Sequence, residues 1–334
     1  MEHAAIGNTF RRKVKEVGVF RTVIHMNLAG PALSPNSRDA FVPFCLEAGR
    51  LASSWSEFGL ADRLFHLGIE SVEPRHRWKP AQATRFVELY RHAAEMAIEL
   101  NRYDVMYALT EEALDHSKDP AQRLKISQVQ VRGLVTQGNY SEAIQAGTKV
   151  LHKAMNEPVL RITPKMIDSE IKSMRKALEG VTKDDLLNNS PPVMDKKWIG
   201  TMEMMNQLVA PALVTQGDLT IVLACRMAKA TLKYGLTPAS PFAFSLLGVI
   251  FSSMEDDLKL GNWCSKRALE LAEKGSQHAV MSGRVSTVHW GLQGLYSTTW
   301  KDCQEPLKIA YRVCIKEGDV EVRLDPEDAS EALT

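Results

Sequence analysis

Two acidic clusters, Glu255-Asp256-Asp257 and Asp184-Asp185, are the residues in this chain closest in type to a metal-diphosphate site. Magnesium-assisted ionisation needs several carboxylate oxygens converging on one shell from adjacent helical turns. On a helix, Asp256 and Asp257 would face different sides, and no second ligand motif answers them. They read as helix-end charge complementing the backbone dipole. The nine histidines include no His-Glu-x-x-His pair. His278 and His289 could share a helix face, but their companions are not ligand types. No metal or cofactor is expected. Nucleophilic chemistry has no Gly-x-Ser-x-Gly elbow to rest on. The cysteines, at 45, 225, 264, 303 and 314, are odd in number and scattered, without a Cys-x-x-Cys pair, which points to a reducing compartment. Cys225 and Cys264 stand in apolar helical context and read as core packing.

Phosphoryl chemistry lacks its parts too. Gly133 to Gly138 is followed by Asn139, where a phosphate loop places lysine, and neither a His-Arg-Asp loop nor an Asp-Phe-Gly triplet occurs. The expectation is a chain that is not an enzyme. What remains is recognition. Arg75, His76, Arg77 and Trp78 form a compact basic and aromatic group before Pro80. It is the candidate partner-binding site, able to dock an acidic peptide or a phosphate with Trp78 as anchor. The competing reading, a solvated loop whose Trp plugs the adjoining helix pair, is the stronger one on residue type. Met194, Met202, Met204 and Met205 likewise read as core before they read as an adaptable binding face.

The elements that would carry these residues are helices. Apolar positions recur at three-to-four spacing almost everywhere, as in Leu124, Ile126, Val129, Val131 and Leu134, and no Asn-Gly or Asp-Gly hairpin separates alternating runs. Composition is that of a folded chain, 45% hydrophobic and 24% charged, with a net charge of +1 that argues against nucleic acid as a partner. The longest apolar run, Phe242 to Phe251, is about half the length a membrane span requires and reads as a buried helix. No basic-then-apolar leader opens the sequence, so the expected location is cytoplasmic.

Punctuation between helices recurs. Gln137-Gly138-Asn139-Tyr140, Gln216-Gly217-Asp218-Leu219, Leu260-Gly261-Asn262-Trp263 and Glu317-Gly318-Asp319-Val320 each place a backbone-tolerant residue, a capping side chain and a large apolar residue in order. Leu100-Asn101-Arg102-Tyr103 is a weaker copy. The interval from Gly138 to Gly217 is about twice the others, room for one degenerate unit. Gly138, Tyr140, Ala143, Gly217, Gly261, Trp263 and Gly318 are therefore expected to be repeat-junction residues. The fold expected is an all-α solenoid of antiparallel helix pairs in two lobes, 18–187 and 196–320, joined through the Pro191-Pro192 connection at 188–195. A flexible N-terminus, 1–17, and a flexible acidic tail, 321–334, complete it.

The segment Gln137 to Leu151 resembles the second half of a tetratricopeptide unit through Gly138, Tyr140 and Ala143. From about Phe20 to Val320 an ordered set of landmarks extends the likeness: Ile24-His25-Met26-Asn27, Leu46-Glu47-Ala48-Gly49-Arg50, Leu67-Gly68-Ile69 with Trp78, Ala93-Ala94-Glu95, Glu142-Ala143-Ile144 with Gly147, Leu178-Glu179-Gly180 and Met194-Asp195. In that order the chain resembles the tetratricopeptide-like segment that follows the ATPase module in large multidomain ATPase-coupled serine/threonine/histidine kinases. The resemblance implies a protein-interaction and signal-relay module whose partner is a kinase or an ATPase. It also makes Trp78 a packing landmark. A helical enzyme or small-molecule binder with a pocket between the lobes is the alternative.

Overall fold

The three-to-four periodicity is realised as helix in the computed structural model, which describes residues 18–29, 35–156, 162–188, 190–274 and 279–316. Among these the chain is all-helical and contains no strand; one parallel bridge links Pro192 to Leu236. No described helix is long and apolar enough to cross a membrane. The expected flexible ends and Gly318 lie outside the described residues.

Packing divides the chain into two compact units, Met1–Asn139 and Tyr140–Thr334. The division falls inside the segment 137–151 that reads as part of one repeat, and the Pro191-Pro192 connection expected at the boundary lies within the second unit. The physical reason is that the prolines lie in the connection between the helices that end at Leu187 and begin at Lys196, and its backbone is bonded into the second unit. Leu236 N–H donates to Pro191 O (2.8 Å) and Val193 N–H to Leu236 O (2.8 Å), which ties the connection to the loop after a later helix.

The first unit contains α1 (18–29), α2 (Pro35–Ser54), α3 (Phe58–Glu70), the short α4 (Pro74–Arg77), α5 (Ala83–Glu99), α6 (Tyr103–His116) and α7 (Pro120–Thr136). Helices α2 and α3, α3 and α5, α5 and α6, and α6 and α7 pack on one another. Their apolar faces close over Phe41, Cys45, Phe65, Phe86, Leu89 and Tyr90, with a second cluster at Ala97, Ile98, Met106 and Val129. Each large apolar side chain fully buried contributes about 1.5–3 kcal/mol. Three of the turns share one device. Ser56, Asn101 and Gly138 sit at φ 61°, 55° and 76°. The next residue's N–H then returns to the carbonyl five positions back, as Glu57 to Ala52, Arg102 to Ala97 and Asn139 to Leu134. This left-handed stop satisfies the last carbonyls of the helix and reverses the chain.

The second unit contains α8 (Tyr140–Met155), α9 (Pro164–Leu178), α10 (Lys183–Leu187), α11 (Lys196–Thr215), α12 (Gly217–Tyr234), α13 (Ser240–Ser253), α14 (Leu258–Lys274), α15 (Ala279–Gly291), a 3-10 turn (Gln293–Tyr296) and α16 (Trp300–Lys316). Side-chain caps start several of them: Thr163 accepts from Met166 N–H and precedes Pro164, and Asp195 accepts from Lys197 N–H. The apolar run 242–251 is buried along nearly all of its length in α13, as expected for a core helix. It crosses α14 very closely. A methyl group on Gly248 would meet Ser265 Cβ at 2.8 Å, and one on Gly261 would meet Gly248 O at 2.7 Å. Gly248 and Ser252 on one helix, Gly261 and Ser265 on the other, present small residues at the same four-residue interval.

Candidate functional site

Trp78 faces inward. It lies against the core of the first unit, stacked on His116 (ring centroids 4.1 Å apart) and in contact with Tyr90 and Phe86. Arg77 Nε donates to Val72 O (2.9 Å) and a guanidinium nitrogen to the Tyr90 hydroxyl (3.2 Å), which donates to Glu112 (2.8 Å). Burial pushes that phenol up to about 12, and Glu112 pushes in the same direction. Arg75 is exposed and pairs with Glu73 at 2.7 Å, and His76 Nδ1 lies 4.0 Å from the same carboxylate. Half of the candidate group is thus spent on packing, leaving Arg75 and His76 as its outward part.

The junction residues separate into two kinds. Gly138 closes α7 with positive φ, Tyr140 begins α8, and Ala143 is buried on α8. Gly217 begins α12 directly after Gln216, without a left-handed turn. Gly261 and Trp263 are interior residues of α14, so the junction expected there is a correction: the chain reverses earlier, at Asp256 (φ 51°). Small size at Gly261 serves the α13 crossing, and Trp263 lies beneath the Arg267 guanidinium (5.9 Å to the ring centroid).

The acidic clusters are helix-end groups. Asp185 and Thr182 form a reciprocal capping box on α10. Asp257 Oδ1 accepts from Leu260 N–H (3.0 Å) at the start of α14, and Arg175 binds both Asp257 and Glu255. The Leu260 amide and then Arg175 hold the Asp257 carboxyl below its ordinary range. No group of three or more His, Cys, Asp or Glu placed to hold a metal ion occurs among the described residues. All five cysteines are buried. Burial pushes the Cys45 and Cys225 thiols up to about 12, so both stay protonated near neutral pH. His289 Nδ1 lies 2.6 Å from Ser265 Oγ, yet Ser265 is fully buried and no substrate can reach its hydroxyl. Burial, and secondarily Lys266, lower the His289 pKa, which keeps the ring neutral.

One constellation was not anticipated. Glu88, Arg91, His92 and Glu95 recur at three-to-four spacing along α5 and meet Arg50 of α2. Arg50 Nε (3.0 Å) and an Arg91 guanidinium nitrogen (2.7 Å) both approach His92 Nε2. Guanidinium groups only donate, so Nε2 accepts and Nδ1–H donates to Glu95 (2.8 Å). Burial works against the Glu95 charge, but the His92 hydrogen bond and the Arg91 charge outweigh it and hold the carboxyl below its usual range. With both ring nitrogens engaged and Phe65 stacked beneath at 5.3 Å, His92 has no lone pair left for a substrate. The network fastens α2 to α5. Its signal was legible in the spacing of charges along α5; the Arg50 half came from a residue 38 positions away.

The surface best suited to recognition lies in the second unit, between α11, α12, α13 and α15. A groove of about 440 Å³ is walled by Val209, Leu213, Ile221, Leu246, Val249 and Met254. At its margin Leu213 is 62% exposed and Met254 53%, with Val214 next to them at 70%. A second recess of about 620 Å³, also within the second unit, is walled by Pro191, Pro192, Pro238 and Pro241. Lys274 at its edge donates to Leu187 O and Asn188 Oδ1. No family model, no curated protein and no solved structure matches this chain.

Proposed function

We propose that the chain is a non-catalytic, tetratricopeptide-like α-solenoid that works as a protein-interaction and signal-relay module, its partner a kinase or an ATPase. The apolar groove of the second unit carries this reading. Exposed aliphatic side chains beside an apolar groove are costly to leave in water, and a groove between helices suits the apolar face of an amphipathic partner helix. Packing of α2 on α3, α5 on α6, α6 on α7, α12 on α13 and α13 on α14 supports stacked helix pairs, while α8 and α9 pack on α11 and α12 rather than on each other. The kinase or ATPase identity of the partner rests on the landmark resemblance alone.

A photo-crosslinking amino acid at position 213 tests the reading, with position 301 on α16 as the exposed control. Capture of a kinase or ATPase through 213 and not through 301, from cells that express the chain natively, is the expected result. Equal capture at the two positions refutes it. A second reading, a small-molecule binder, is favoured by the proline-walled recess, whose rigid walls and volume suit a mostly apolar ligand.

A further inference from the structure

We propose that the groove between α11, α12, α13 and α15 is a binding site for a small neutral amphiphile, an alkyl body bearing one hydroxyl, with Thr220 of α12 as its hydrogen-bond partner. A threonine inside a helix commonly returns its hydroxyl to the carbonyl four residues back. Thr110 donates to Met106 O (2.9 Å), Thr201 to Lys197 O (2.8 Å), Thr231 to Met227 O (3.0 Å) and Thr287 to Gly283 O (2.9 Å). Thr220 breaks the pattern. It is 6% exposed, it lines the groove, and its hydroxyl has no hydrogen-bond partner among the described residues.

Two further hydroxyls line the groove, and both already donate within their own helices: Thr287 to Gly283 O, and Ser253 to Val249 O (2.8 Å). The rest of the lining is apolar apart from Arg284, which has an interaction of its own. A hydroxyl buried without a partner is costly, and a ligand that brings one to that spot relieves the cost. Thr220 can donate or accept there; a ligand carbonyl answers only the first, whereas a ligand hydroxyl answers either. An alkyl body removes apolar walls such as Leu213 from water, and about 440 Å³ is room for a small organic molecule. A partner helix seated on the same walls would exclude the alcohol, so the site competes in space with the protein-interaction reading and is independent of it in chemistry.

Titration of the full chain with 1-hexanol, followed by methyl NMR at pH 8, tests the site. Saturable shifts of the Val209, Leu246 and Val249 methyls are expected, with Val87 of the first unit unmoved. Thr220→Val keeps the shape and removes the hydroxyl, so hexanol should bind it about tenfold more weakly. The analogue 1-chlorohexane, which cannot donate a hydrogen bond, should bind the variant as well as the native chain or better. Thr220→Val should also keep or raise the urea midpoint, whereas Thr231→Val, which removes a paired hydroxyl, should lower it. The site is overturned by an absence of saturable shifts in the groove, by unchanged hexanol affinity in Thr220→Val, by equal weakening of hexanol and chlorohexane, or by a Thr220→Val midpoint that falls as that of Thr231→Val does. Tighter binding of hexanoate than of hexanol would move recognition to Arg284 and overturn the hydroxyl assignment. Failure to capture a partner through position 213 while hexanol still binds counts against the interaction reading and leaves this site standing.

Discussion

Replacing Gly261 by alanine puts a methyl group where α13 and α14 leave no room for one. The added carbon would lie 2.0 Å from Ser252 Oγ, 2.7 Å from Gly248 O and 3.1 Å from Ser252 N. The hydroxyl can rotate away; the carbonyl and amide belong to the α13 backbone and move only if the helix moves. In an exposed helix interior the same substitution stabilises by about 1 kcal/mol. Overpacking a close crossing costs about 1–3 kcal/mol, and a rigid backbone neighbour places this site toward the upper end. The net expectation is destabilisation by about 1–2 kcal/mol, a fall in Tm of about 2–8 °C for a unit of this size. Gly59, in α3 with no atom within 4 Å of an added methyl, supplies the opposite case and gains up to about 1 kcal/mol on conversion to alanine. Urea unfolding followed by circular dichroism at 222 nm measures both. If Gly261→Ala is neutral, or stabilises as Gly59→Ala does, the close crossing of α13 and α14 is wrong.

Lowered by burial, the His289 pKa makes stability depend on acid: below the ordinary histidine value near 6.5 the unfolded chain takes up a proton that the folded chain refuses. Stability present above that value then falls as the pH drops toward the folded pKa, at up to about 1.4 kcal/mol per pH unit. Between pH 7.5 and 5.5 the urea midpoint of the native chain should drop more than that of His289→Gln, and parallel profiles would remove the assignment. At the basic cluster, Trp78→Ala should cost about 3 kcal/mol through lost packing on Tyr90, Phe86 and His116, whereas Arg75→Ala should stay within about 0.5 kcal/mol. Equal midpoints for the two variants would undo the division of that group into an inward and an outward half.

Local chemistry was written in the sequence wherever one element alone determines the outcome. Helical periodicity, the buried run of α13, the proline interruption at 191–192 and the left-handed stops at Asn101 and Gly138 each depend on residues a few positions apart. Even the charged stripe on α5 was readable as spacing. Tertiary structure decided the rest, because the deciding neighbour is distant in the chain. Gly261 looked like a turn glycine, since a glycine before an asparagine and a tryptophan reads identically in a turn and at a helix crossing; only Gly248 and Ser252 across the interface show which it is. Arg50 completes the α5 network from another helix, and Trp78, whose packing role the sequence favours, finds its partners in a stacked His116 and a tilted Tyr90. The apolar groove draws its walls from four helices. A concave surface is a property of how faces meet, and periodicity specifies a face without naming the one opposite it.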